Sequence, residues 1–266
     1  MDVDAARSWS SLQAIRREAP LVQNITNFVS MDVVANALLA LGASPAMVHA
    51  VEEVEDFAVL ADALVVNIGT LSQAWAESMF KAASLMAGLK KPWVLDPVGV
   101  GATAYRTSVA HKLLAIGPTV IRANASEVLA LVGAASEPTK GVDSTHHSDQ
   151  AFDAADALAK RTGTVVAVTG AIDYVTDGVR SLQVRNGDPL MTRVTALGCA
   201  SSAAVAAFLT VNPDPLTATA EALAVYGLAA EHAVIDAEGP GSLRWRLLDE
   251  LAGLDGAKLQ EGIKIQ

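Results

Sequence analysis

Short β-branched runs alternating with longer stretches of helical periodicity constrain this chain more than any other feature. The runs are residues 21–25, 46–49, 63–68, 93–95, 119–122 and 164–169, and the helical stretches are 32–41, 52–61, 72–89, 104–115, 126–132 and 149–161. Near-continuous apolar strands belong to parallel sheets, where helices cover both faces. The alternation therefore predicts a doubly wound α/β sheet. Ser72, with Trp75 and Met79 spaced on one face, and Ser126 before Glu127 read as helix starts. Residues 173–177 and 181–185, separated by Gly178, predict an antiparallel hairpin at a sheet edge. The last third reads as helical over 198–209, 215–235 and 242–251, and the polar stretch 136–150 as an exposed excursion.

At 266 residues the chain can bury a sizeable core, as one large α/β domain or two smaller ones. Hydrophobic residues make up 52% and mean hydropathy is positive, so membrane spans have to be considered. Stretches 33–51 and 194–213 lack charge over about the 20 residues a bilayer requires. Asn36, Gly42 and Pro45 break the first, Thr195, Gly198 and Ser201 the second, and neither has basic flanks, so both read as buried elements of a soluble protein. The acidic opening Met1-Asp2-Val3-Asp4 does not resemble a secretory signal. A lone cysteine, Cys199, fits a reducing compartment, and cytoplasmic residence is the expectation. Acidic residues number 29 against 19 basic, a net charge of −10, which disfavours nucleic acid and anionic membranes as partners. A phosphate ligand would then need Mg²⁺, a helix N-terminus or a few local cations.

Open α/β sheets bind ligands beyond the carboxyl ends of their strands. There the sequence places Asn27, Met47, Asn67, Asp96 followed by Pro97, Gly99 and Gly101, then Arg122, Glu127 and Thr169. Two carboxylates at neighbouring strand ends with an arginine beside one of them suit a magnesium-phosphate site, because Mg²⁺ keeps several waters and takes only one or two protein carboxylates. Plainer readings exist: Asp-Pro and glycine make turns, and Glu127 complements a helix dipole. Gly198-Cys199-Ala200-Ser201-Ser202 opens a small-residue helix whose free amides can face an anion, or which simply packs tightly on the sheet. A cysteine at a helix N-terminus is expected to have a lowered pKa. No histidine pattern supports a thiol hydrolase or zinc, and the dinucleotide fingerprint and Walker A loop are both absent. Phosphoryl transfer, which depends on positioning and charge stabilisation, asks least of these residues.

Pro20-Leu21-Val22-Gln23-Asn24-Ile25-Thr26-Asn27 and Leu41-Gly42-Ala43-Ser44-Pro45-Ala46-Met47 resemble the opening of the hydroxyethylthiazole kinase family. Asp96-Pro97-Val98-Gly99-Val100-Gly101-Ala102-Thr103, Ile121-Arg122-Ala123-Asn124-Ala125-Ser126-Glu127, Lys140-Gly141-Val142-Asp143-Ser144 and Val168-Thr169-Gly170-Ala171-Ile172-Asp173-Tyr174 resemble further motifs, in family order. The resemblance implies a ribokinase-like three-layer sandwich, a single kinase domain over residues 1–266. It implies ATP- and Mg²⁺-dependent phosphorylation of 4-methyl-5-(2-hydroxyethyl)thiazole, a salvage step toward thiamine. It also implies a homotrimer with active sites at subunit interfaces.

Carried over by position, the resemblance implies that Asn27, Met47 and Ala196 bind the thiazole alcohol and that Arg122, Thr169 and Glu127 bind ATP. Asp96 and Glu127 would hold Mg²⁺, partly through water. Gly198 and Cys199 would end the anion-hole loop beside the reacting hydroxyl, with Asp96 completing the catalytic group and the amides from Gly198 to Ala200 receiving developing charge. The family commonly has Gly-Thr-Gly-Cys where this chain has Ala196-Leu197-Gly198-Cys199, losing a glycine's backbone freedom and a hydroxyl. Related alternatives are a hydroxymethylpyrimidine kinase, an ATP-dependent hydrate dehydratase, or a thiazole-binding regulator without catalysis.

Overall fold

The computed structural model describes residues 4–133 and 144–266. Among these lie six parallel strands, β1 (Leu21–Ile25), β2 (Ser44–Ala46), β3 (Ala63–Asn67), β4 (Trp93–Asp96), β5 (Val120–Asn124) and β6 (Val165–Thr169). An antiparallel hairpin, β7 (Asp173–Thr176) and β8 (Ser181–Val184), extends the sheet past β6, with Gly178 in its turn at φ 85°. The eight strands run in the order β2-β1-β3-β4-β5-β6-β7-β8, so the expected mostly parallel sheet with an edge hairpin is what forms.

The helices are α1 (Ala5–Glu18), α2 (Met31–Leu41), α3 (Val54–Leu60), α4 (Gln73–Gly88), α5 (Ala104–Ile116), α6 (Ala125–Leu131), α7 (Ser144–Thr162), α8 (Leu197–Val211), α9 (Pro215–Ile235), α10 (Pro240–Gly253) and α11 (Gly256–Gly262). Strand side chains alternate between two cores. Val65, Val94, Val120 and Ala167 join α1, α2 and α8 to α11 on one face; Val66, Leu95, Ile121 and Val166 join α3 to α7 on the other. Helix α8 lies against β1, β3 and β4 with its residues from Ala200 to Leu209 buried. Its alanines let the helix axis approach the sheet closely, which is where the chain's small apolar residues are used. Among the described residues no helix is long and apolar enough to cross a membrane.

Three local differences from expectation have physical causes. Strand β2 occupies Ser44–Ala46, not 46–49; it is an edge strand, where Pro45 costs no ladder bond. The chain then leaves the sheet, and the His49 ring stacks on Trp75 at 4.5 Å. Helix α6 is capped two residues before Ser126, by Asn124: its Oδ1 accepts Glu127 N–H at 3.0 Å while Glu127 Oε2 accepts Asn124 N–H at 2.9 Å, a reciprocal capping box. Helix α1, which no sequence expectation covered, starts at Asp4, whose carboxylate accepts Arg7 N–H. Ser72 caps α4 as expected, accepting Trp75 N–H at 3.2 Å. Of the expected excursion, residues 136–143 lie outside the described residues, and α7 has begun by residue 144.

Candidate active site

The strand alternation that builds the two cores also builds the site. Val65 and Val94 face α8, so two residues further on Asn67 and Asp96, paired in register, face the same way. Arg122 follows Val120 on the neighbouring strand by the same rule. Polar groups thus stand side by side at the carboxyl ends of β3, β4 and β5, beneath the N-terminus of α8. The cleft above them encloses about 410 Å³ and brings together Asn27, Asp96, Arg122, Glu127, Ala196, Gly198 and Cys199. Met47 and Thr169 do not line it. Met47 is half-buried beside the α8 core, and Thr169 pairs in register with Asn124 and donates its hydroxyl to Ala123 O at 3.4 Å.

Asp96 is buried, and its two oxygens differ. Oδ2 accepts Asn67 Nδ2–H at 2.7 Å and Ser202 Oγ–H at 2.8 Å, while Oδ1 has no hydrogen-bond partner. Burial pushes this carboxyl up to about 6; the Arg122 guanidinium and the Ser202 hydrogen bond oppose the shift, and the Glu127 charge adds to it. Glu127 is anchored at both oxygens, Oε1 accepting Gly99 N–H at 2.8 Å and Oε2 closing the capping box. Gly99 and Gly101 adopt φ of 68° and 91°, the left-handed turn that carries the chain from β4 past Glu127.

The α8 N-terminus is built around glycine. A Cβ on Gly198 would come within 2.9 Å of Arg122 Nη1, so the absence of a side chain lets the guanidinium lie against the helix start. Ala196 immediately precedes the helix at φ 71°, a left-handed conformation that L side chains rarely adopt. Ala200 N–H already bonds Ala196 O at 3.0 Å, so the expected set of free amides moves back one residue: those of Leu197, Gly198 and Cys199 remain for an anion.

The lowered pKa expected for Cys199 does not occur. Burial and then the Asp96 charge push the thiol up, outweighing the amide donors Asn27 and Asn67 and the Arg122 charge. A neutral thiol suits positioning better than nucleophilic attack.

Two contributors were given no role from sequence, although Asn67 was placed at a strand end. Asn67 bridges Asp96 and Cys199; its signal was the polar end of the alternating series Ala63, Val65, Asn67. Arg106, on α5, donates to the carbonyls of Ile68, Val98 and Gly69, tying together the loops after β3 and β4. No sequence signal marks it, because its partners are backbone atoms.

The two carboxylates can be tested for magnesium. Among the described residues no group of three His, Cys, Asp or Glu side chains could cage an ion. Asp96 Oδ1, buried and unpartnered beside a cleft, is a group lacking its complement. A donor set of one free carboxylate oxygen and one anchored carboxylate fits an ion that retains most of its water.

Residues 12–256 match the Hydroxyethylthiazole kinase family. A hydroxyethylthiazole kinase of Cereibacter sphaeroides is 54% identical over 255 residues, 96% of this chain and 97% of the relative. The structure of the hydroxyethylthiazole kinase protein from Pyrococcus horikoshii superposes with a TM-score of 0.90 at 44% identity, covering 97% of this chain and 98% of that one. A ribokinase-like superfamily protein from Enterococcus faecalis shares the fold at a TM-score of 0.63 and 12% identity, covering 89% of this chain and 87% of that one. With a strand-end cleft of this composition and full-length similarity of this degree, the chain belongs to the hydroxyethylthiazole kinase family.

Proposed function

We propose that this chain transfers the γ-phosphoryl group of ATP to the primary hydroxyl of 4-methyl-5-(2-hydroxyethyl)thiazole, a salvage step toward thiamine. The observation that carries the reading is the meeting of the α8 N-terminus with Asp96, Arg122 and Glu127 in one cleft. Phosphoryl transfer needs a place for negative charge to develop and cations to balance it, more than it needs a strong base. The free amides of Leu197, Gly198 and Cys199 receive that charge, and Arg122 binds phosphate oxygens through its planar fork. Cys199, protonated at neutral pH, orients the acceptor hydroxyl. Asp96 and Glu127 would hold Mg²⁺, partly through water; when bound it neutralises phosphate charge. Asn27 and Ala196 in the cleft are proposed to contact the thiazole and Arg122 and Glu127 the ATP; Met47 and Thr169, outside its lining, are proposed for thiazole and ATP on family position alone.

One continuous sheet with a core on each face supports treating residues 1–266 as a single kinase domain. Exposed Phe28 and Val29 beside the cleft, with Leu39 on α2, support a homotrimer whose subunits meet near the active site. The lone cysteine supports a cytoplasmic location.

The test is direct. Purified protein incubated with ATP, Mg²⁺ and either the thiazole alcohol or hydroxymethylpyrimidine should yield phosphorylated thiazole by mass. Product from the pyrimidine alone would overturn the acceptor assignment, and binding without product would favour a regulator.

A further inference from the structure

We infer that Asn67 is a positioning residue that couples the acceptor side of the cleft to its phosphate side. The orientation of its amide follows from an obligate backbone donor: Gly69 N–H bonds Asn67 Oδ1 at 3.0 Å, so Nδ2 lies opposite. Its two protons go to Asp96 Oδ2 at 2.7 Å and to Cys199 Sγ at 3.2 Å. The Asn27 amide is fixed in the same way, its Oδ1 accepting Val29 and Ser30 N–H at 3.1 Å each. Asn27 Nδ2 then donates to Asn67 Oδ1 at 2.8 Å and to Cys199 Sγ at 3.5 Å. Each proton and each oxygen of the two amides is thereby committed.

This arrangement has a directional consequence. With two N–H groups aimed at its sulfur, Cys199 has its own S–H turned away from the amides, toward the cleft, where it donates to an acceptor oxygen. With Oδ2 of Asp96 held by Asn67 and Ser202, Oδ1 is the oxygen left for ligand. One side chain thus sets both the direction of the thiol and the face of the carboxylate. Gly69 belongs to the same construction, since a Cβ there would come within 2.7 Å of Asn27 Nδ2.

The role in rate rests on the phosphoryl-transfer reading, so its test includes a substrate-free measurement. Asn67→Leu approximates the size and removes both donors without setting a second carboxyl beside Asp96. In the Mg²⁺-loaded enzyme kcat should fall about 100-fold, the order that misplacement of reacting groups causes, with each KM within about threefold. In substrate-free protein, alkylation of Cys199 by iodoacetamide at fixed pH should slow, because the thiolate loses a donor; the single cysteine makes the signal unambiguous. In a Cys199→Ala background the Asn67→Leu effect on kcat should shrink, as coupled residues require. Should Asn67→Leu fail to fold, Asn67→Ala carries the same measurements, since it too removes both donors. A variant with parent-like kcat or parent-like alkylation, even with a lowered Tm, overturns the proposal. A parent protein that phosphorylates no acceptor overturns the kinase reading instead, and alkylation then decides the Asn67 contact alone.

Discussion

Ala196 holds a backbone conformation suited to glycine, and the helix start beyond it depends on that conformation. A left-handed alanine costs on the order of 1–2 kcal/mol, part of which glycine returns through its freer unfolded state. Ala196→Gly should therefore raise stability by about 0.5–1 kcal/mol in denaturant melts, with turnover retained. Asp173 offers a pH test at the same scale. Burial pushes its carboxyl up to about 6, against the Gly170 N–H bond and the Arg122 charge. The folded state then binds the extra proton between the unfolded value near 4 and about 6, so stability falls as pH rises through that window. Asp173→Asn should remove this fall. Its stability gain over the parent should be absent below pH ~4 and reach about 1–2 kcal/mol above pH ~6, a magnitude reduced for partial exposure. Urea melts across the pH range check it; a gain independent of pH would assign the effect to something other than this carboxyl.

At the scale of elements, the site is a set of loops and helix starts held in place by contacts away from the reacting groups. Helix α5 enters through Thr103, whose hydroxyl accepts Arg106 N–H at 3.2 Å, and Arg106 then binds three carbonyls across two loops. Hydrogen bonds from a charged donor contribute about 1.5–3 kcal/mol each when their partners are otherwise unsatisfied, and water replaces some of them here. Arg106→Leu should cost about 2–3 kcal/mol in total and increase hydrogen exchange at residues 68–70 and 98–101. Unchanged exchange there would show that the loops are held by other contacts. Helices α6 and α8 act similarly: the capping box of α6 fixes Glu127, and the glycine in the first turn of α8 admits Arg122.

Across the whole molecule, one buried polar network ties the N-terminal helix to the C-terminal half. Glu221 on α9 is fully buried; it meets Arg7 Nε at 3.0 Å and accepts Ser11 Oγ–H at 2.6 Å, both from α1, while Arg7 Nη2 also donates to Asn212 and Thr217. Burial pushes the Glu221 carboxyl up, so its charge depends on this arginine. Arg7→Ala leaves that charge without its partner and should cost about 3 kcal/mol at neutral pH, and less as pH falls, because burial raises the carboxyl and protonation relieves the stranded charge. Thermal melts across the pH range check the sign; a loss that does not shrink as pH falls would show that Glu221 does not change protonation over that range.

The order of elements was legible in the sequence because burial on two faces writes long apolar runs, and helices between parallel strands write a 3.6-residue period. Asp96, Arg122 and Glu127 were legible too, since polar and glycine residues at strand ends interrupt those runs, and Gly198 and Cys199 were legible as the opening of a small-residue helix. Helix α1 and the placement of β2 were not, because two of the four buried positions of α1 are serines, Ser8 and Ser11, and β2 is a three-residue edge strand containing a proline. Side-chain direction was decided by tertiary structure alone. The register of β3 against β4 sets Asn67 beside Asp96, close packing of α8 brings Cys199 over both, and the resulting burial raises a thiol that its helix position by itself would lower. Sequence determines which groups reach the edge of the sheet; only the folded neighbours determine their protonation and the direction in which they donate, because hydrogen bonds and desolvation are properties of contacts between segments distant in the chain.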